Sequence, residues 1–429
     1  MIPYTEGMSD HQGLIGILGL TVWCVLIVLC LSRAVKSTRI QSAVLAAAIV
    51  DVLVLLTLML VSRDISGDSI AWHELGTEAS EYLTGRERAP VSYVEGKEGY
   101  VWILGLIYSV TGPAPIAAIV FSIFCHLLTV VTVAKTTEIV LSSSRLSAAP
   151  IGAATFRAGL IAALLPSFVW WTPHVLRESL TVSLVSASLL FLSDILVNRR
   201  ALLLPLLLGA LCVLSWVRGS LGMVVTVSLL ASHLYVVVGR SHHRGLLRAL
   251  LASVLIACIA LFGDTFSEAL GAAEEKAAGT TDELAAIASS GFPGLGRHAQ
   301  LTDVIMVTGP RVLVGPFVWE FRVSSVMLLA TVELACWLIV VVFAVRGIRL
   351  AYRTQALEPI SWIFPVALIV AAVILVGLMF TVGNYGILAR YRPIATVVLV
   401  PFASIGLFGP SALAGSSGGV GKTLQKAVR

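Results

Sequence analysis

The stretch RDISGDSIAWHELGTEASEYLTGRERAPVSYVEGKEGYVWILGLIYSVTG, residues 63–112, is the first long polar interval in an otherwise apolar chain. A connection between two membrane spans needs only a handful of residues. About fifty that carry acids, aromatics and a proline exceed that need. We read the stretch as part of a roof over a site, with an amphipathic helix running through IAWHELGTEASEYL and a short apolar helix from Gly99 to Thr111.

The apolar runs on either side set the class. Hydrophobic residues make up 58% of the 429-residue chain and charged residues only 12%, with a mean hydropathy of +0.95, whereas a soluble domain carries about 25% charged residues. Runs of roughly twenty apolar residues without strong periodicity are what a helix needs to cross hydrocarbon with its backbone groups paired internally. The expected fold is therefore all-α and polytopic. About eleven transmembrane helices are expected, near residues 12–32, 41–62, 114–134, 155–173, 180–197, 202–217, 220–239, 248–263, 324–344, 360–381 and 393–411. One membrane domain covers residues 1–412, with long outer loops at 63–112 and 264–322, and residues 413–429 form a flexible cytoplasmic tail. All six cysteines lie in apolar runs, where they serve as small hydrophobes.

Charge supplies the orientation. Glu6 and Asp10 precede the first apolar run, and Arg33, Lys36 and Arg39 follow it. This order predicts an uncleaved anchor with its N-terminus outside and the C-terminus cytoplasmic. Every short loop on the inner side is then basic, while nearly all the acids fall outside. The net charge of +5 reads as a topology signal and gives no reason to invoke nucleic acid.

Four charged clusters oppose or decorate that outer face: Asp68 with His73 and Glu74, Arg177 with Glu178, Arg218, and Arg390 with Arg392. A single arginine at a helix end can snorkel to headgroups. Four at the outer ends of different spans favour an anionic ligand, because guanidinium forks hold phosphate oxygens bidentately. Asp68 can cap a helix start or take a proton from an attacking hydroxyl, and the two roles are compatible. His73 and Glu74 are orienting groups or surface polars.

Three acids fall within spans. Asp194 lies close to Arg199 and the cytoplasmic end, whereas Asp51 and Glu333 fit a path through the bilayer, since mid-membrane charge is costly. His126 and His233 are read as interhelical hydrogen-bonders. The tail GSSGGVGKT places Ser416 where a P-loop needs its first glycine, and WHELG lacks the second histidine of a zinc-binding helix. No spacing names a metal, although acids in the outer loops leave a divalent cation open. No cofactor is otherwise implied.

The segments GDSIAWHELG, KEGYVWILGLIYSVTGPAPIAAIVF, LLPSFVWWTPHVLRESL, VGPFVWEFR with VELACW, and NYGILARYRPIATVVLVPF, in that order, resemble the type C membrane glycosyltransferases (GT-C). Within that superfamily the chain looks like the bacterial members related to protein mannosyltransferases and exopolysaccharide polymerases. The resemblance implies a polyprenyl-phosphate-linked sugar donor and a glycan, lipid or protein acceptor, at an outer face of a bacterial plasma membrane. It also implies Asp68 as catalytic base and lipid-phosphate contacts from Arg177, from Arg390 and from Arg218 or Arg392. It departs from the pattern: a whole span precedes the acidic motif, Asp68 is followed by Ser69 where the common pair is Asp-Glu, and for the separate second acid of the next outer loop Glu178 is the nearest candidate. A lipid-linked polysaccharide polymerase or ligase is the nearest alternative. A transporter or flippase using Asp51 and Glu333 is an alternative of another class, and a non-catalytic envelope scaffold is a further one.

Overall fold

The computed structural model describes residues 2–6, 11–35, 39–62, 64–65, 67–86, 98–219, 221–229, 306, 309–317, 325–354, 357, 370–372, 374–375 and 385–408. The expected span at 248–263, most of those at 220–239 and 360–381, nearly all of the second outer loop, His233 and the tail lie outside the described residues. The chain divides into two compact units. The first comprises Met1–Gly222, Val342–Ser361 and Val400–Arg429, and the second comprises Met223–Val341 and Trp362–Leu399.

The protein is an α-helical membrane protein: among the described residues, six helices are long and apolar enough to cross a bilayer. In the first unit α1 (His11–Arg33) and α2 (Ile40–Val61) are followed by α3 (Asp68–Leu83), α4 (Glu98–Thr111), α5 (Pro115–Ser142), α6 (Ala148–Leu164), α7 (Pro166–Trp171), α8 (Glu178–Asn198) and α9 (Leu204–Val217). Both helices expected within residues 63–112 are thus present. A small antiparallel ribbon joins β1 (Ile2–Pro3) to β2 (Asp64–Ile65). Because β1 and β2 flank α1 and α2, those two helices form a hairpin whose start and finish share one side.

Burial separates the inner helix from the outer ones. In α5, 67% of the most apolar window is buried, against 17% in α1 and 22% in α2. α5 is therefore the pillar of this unit. Leu18, Trp23, Leu53 and Leu60 on the peripheral pair remain exposed, as suits side chains whose solvent is lipid.

Small residues bring α2 against α6. Ala43 and Ala47 on α2, and Ala154, Ala158 and Ala162 on α6, are fully buried, and a Cβ on Gly159 would stand 2.6 Å from Ile40. Small side chains at this spacing let backbones approach, and packing supplies association where hydrophobic exclusion cannot. The single span expected at 155–173 is broken. Pro166 lacks an N–H and drives Leu165 to ψ 122°, so α6 ends and a separate turn, α7, begins.

Two arginines hold the far end of a later helix to this unit. Arg157 Nη1 donates to the Leu407 carbonyl at 3.1 Å and Arg346 Nη2 to that of Phe408 at 3.3 Å. These carbonyls follow the C-terminus of α12 (Tyr385–Gly406), where positive charge is favoured. α10 (Gly309–Val314) precedes α11 (Ser325–Arg353), of which the part up to Val341 belongs with α10 to the second unit, and there Trp337 Nε1 donates to the Leu313 carbonyl at 2.9 Å.

Candidate functional site

α3 and α4 cross closely because each offers a glycine to the other: a Cβ on Gly76 would meet Leu104 at 2.8 Å, and one on Gly105 would meet Ala79 at 2.6 Å. The crossing buries one stripe of α4, Tyr100, Leu104 and Tyr108, to 0–1% exposure. Sequence pattern alone suggests these tyrosines as interfacial anchors. They face inward instead, and their spacing of four residues marks one helix face. Trp102, on another face, is half-buried and meets the Tyr82 ring edge-on at 5.9 Å.

The first unit gathers several of the expected site residues at one end. Arg177 immediately precedes α8, and Arg218 immediately follows α9. The guanidinium Nη1 of Arg177 donates to the carbonyl of Val217 at 3.4 Å, so the two arginines, from antiparallel neighbouring helices, belong to one locus. Both are buried, at 8% and 6% exposure. Trp72 of α3 covers Arg177, with the guanidinium carbon 5.4 Å from the ring centroid, and stacks edge-on against Tyr100 at 5.2 Å. Glu178, the first residue of α8, is buried beside them, and its Oε2 has no hydrogen-bond partner. Burial first, then neighbouring Tyr108 and Glu178, raises the pKa of the Tyr100 phenol.

Asp68 is exposed and is the first residue of α3, not its cap. The capping position is Gly67, whose φ of 58° reverses the chain into the helix, a conformation that glycine adopts without steric cost. A carboxylate in the first turn is favoured by the helix dipole. Asp68 and Trp72 are one turn apart on the same face of α3. Asp68 thus shares the face of α3 that carries the Arg177 contact.

His73 points the other way, into the protein. Its Nδ1 is 2.9 Å from the Tyr108 hydroxyl, and its Nε2 is 3.9 Å from Glu6 Oε2. Burial pushes the imidazole pKa down to about 4, and burial first, then Glu6, raises that of the Tyr108 phenol. The ring is therefore neutral at physiological pH and acts as a hydrogen-bonding spacer. Glu74 is exposed on a different face of α3.

Arg390 and Arg392 lie in the second unit. Arg392 is 1% exposed, and its Nη2 donates to the carbonyls of Arg311, Val312 and Gly315 at 2.9–3.1 Å. It thus gathers carbonyls at the end of α10, where that of Arg311 also accepts the Gly315 N–H. Arg390 is half-buried two residues earlier, and both arginines lie within α12, which starts at Tyr385, instead of at the end of a span expected to begin at 393.

The intramembrane acids have distinct surroundings. Asp51 Oδ2 lies 2.7 Å from His126 Nδ1, both side chains being fully buried, and His126 Nε2 donates to the Ala162 carbonyl at 3.2 Å. Three helices meet there, and His126 does bond between helices. Asp194 is held by Asn198 and, at 3.5 Å, by Arg200, near the expected cytoplasmic end. Glu333 is fully buried in the second unit. Among the described residues no group of three or more His, Cys, Asp or Glu is arranged to hold a metal ion.

Sequence reasoning missed Glu6, Trp72 and the inward role of Tyr108. The first two sit in segments remote in sequence from their partners, and only the four-residue spacing on α4 could have flagged the third. No known protein family matches the chain, and neither a curated protein nor a solved structure matches it.

Proposed function

We propose that the protein is an integral membrane glycosyltransferase that moves a sugar from a polyprenyl-phosphate donor to an acceptor on the outer face of a bacterial plasma membrane. One observation carries this reading: Arg177, buried at the start of α8 and bonded to the backbone carbonyl just before the buried Arg218, lies against Trp72 on the α3 face that bears Asp68. Guanidinium groups suit a phosphate that arrives from the lipid. Held in place before the reaction, they offset negative charge growing on the departing phosphate. Asp68 is exposed at the mouth of α3 and acts as general base toward the acceptor hydroxyl. Glu178, with an unpaired buried oxygen, accepts hydrogen bonds from sugar hydroxyls.

A lipid-linked glycan polymerase uses the same groups and differs only in its acceptor. The transporter reading draws on the buried Asp51–His126 contact, halfway along α2. The deciding experiment is transfer from a radiolabelled polyprenyl-phosphate sugar by purified protein in nanodiscs, with Asp68→Asn and Arg177→Met beside the wild type. Asp68→Asn abolishes transfer with folding intact, and Arg177→Met raises the donor KM about tenfold, near the cost of one charge-assisted hydrogen bond. Wild-type turnover by Asp68→Asn removes that residue from the mechanism. Absence of both transfer and polyprenyl-phosphate binding in the wild type overturns the reading.

A further inference from the structure

The N-terminal residues 2–6 make more contacts than a leader into the first span requires. Ile2 pairs with Ile65 and Pro3 with Asp64. Tyr4 is 3% exposed and packs in the same apolar cluster as Ile65, Tyr100, Tyr108 and Val217. Glu6 reaches the Nε2 edge of His73, whose other nitrogen is bonded to Tyr108. The segment therefore grips both the chain leading into α3 and the first turns of α3 itself.

The geometry points to residues 2–6 as a latch that positions α3, with Tyr4 as its anchor, so that Asp68 and Trp72 are held over the Arg177–Arg218 locus. Only two residues separate the paired Ile65 from Asp68, and one of them is Gly67, around which a Cβ would meet nothing within 4 Å. A two-residue ribbon is marginal alone. Its register therefore depends on the buried Tyr4 ring. The latch bears on Asp68, whereas the phosphate contacts belong to α8 and α9. Releasing it should misplace the base while leaving donor binding intact. This assignment of roles rests on the transferase reading above, but the mechanical claim does not.

Hydrogen exchange and transfer kinetics on the same nanodisc samples test it. In Tyr4→Ala the amides of α3, residues 68–83, exchange about tenfold faster while those of α5 do not change, since local opening reports local stability. The same variant loses about tenfold in kcat with donor KM unchanged, and Tyr4→Phe stays near wild type on both measures. The pair Pro3→Cys/Asp64→Cys, oxidised across the ribbon, restores slow α3 exchange and turnover to Tyr4→Ala, and reductant abolishes the rescue. This arm decides the matter if Tyr4→Ala alone folds poorly. Unchanged α3 exchange in Tyr4→Ala, or no rescue by the oxidised pair, overturns the latch. Faster α3 exchange in a protein whose wild type shows no transfer leaves the latch standing and removes the transferase reading instead.

Discussion

The guanidinium of Arg177 lies over the ring of Trp72, 5.4 Å from its centroid, with Tyr100 set edge-on against the same indole at 5.2 Å. A cation on an aromatic face gains roughly 1 kcal/mol, more where water is excluded. The indole also fixes the plane in which the fork presents its donors. Trp72→Ala should weaken binding of a polyprenyl phosphate about fivefold, and Trp72→Phe should recover part of the loss. Titration of tryptophan fluorescence or lipid capture on nanodiscs reads the difference.

Asp51 and His126 form a contact whose removal is asymmetric. Taking away one partner leaves the other buried without compensation, and breaking such a pair costs about 3–5 kcal/mol in soluble proteins, although interhelical bonds in membranes average nearer 0.6 kcal/mol. Asp51→Leu is expected to lower the unfolding temperature in detergent clearly. The double variant Asp51→Leu/His126→Leu should be less affected than the sum of its parts. Additive losses would show that the two groups do not act as a pair.

His73 makes α3 docking sensitive to acid. Its pKa falls to about 4 in the folded protein from an ordinary 6.5 because burial disfavours the imidazolium. Glu6, half exposed and 3.9 Å away, is too weakly placed to reverse this. The undocked helix takes up a proton that the docked one refuses, so docking is fully present above pH 6.5 and is lost as pH falls from 6.5 toward 4. Hydrogen exchange of residues 68–83 should accelerate over that window, and His73→Gln should remove the dependence.

Arg392 holds three carbonyls at the end of α10. Arg392→Met leaves them without that donor in a buried setting, a loss of about 1.5–3 kcal/mol for hydrogen bonds to a charged group. Limited proteolysis within residues 309–317 should speed up in the variant. An Arg392→Lys protein should fall between the two, because an ammonium cannot span the same arc of acceptors.

Where helices lie was legible in the sequence wherever a long apolar run or a strong period marked them. α1, α2 and α8 match their expected spans within a residue or two at either end, and α4 begins one residue before its expected start. The reading erred where one local feature outweighed the run: Pro166 divides what composition reads as one span, and α5 continues to Ser142 because Lys135 and Glu138, an ion pair at 3.1 Å, let it extend past the apolar stretch. The candidate site was legible only as a set of residues out of place. Arg177 and Arg218 could be singled out from charge alone, yet the carbonyl that joins them belongs to α9 and the indole that covers Arg177 to α3.

Composition and charge order by themselves determined that this is a helical membrane protein and which polar groups are anomalous within it, because the bilayer imposes length, hydropathy and side bias on each segment one at a time. Tertiary structure alone decided that Trp72 meets Arg177, that Asp51 meets His126 and that residues 2–6 grip α3. Those contacts depend on where small residues such as Ala158, Gly76 and Gly105 let helices cross, and a crossing is a property of two surfaces that no single segment encodes.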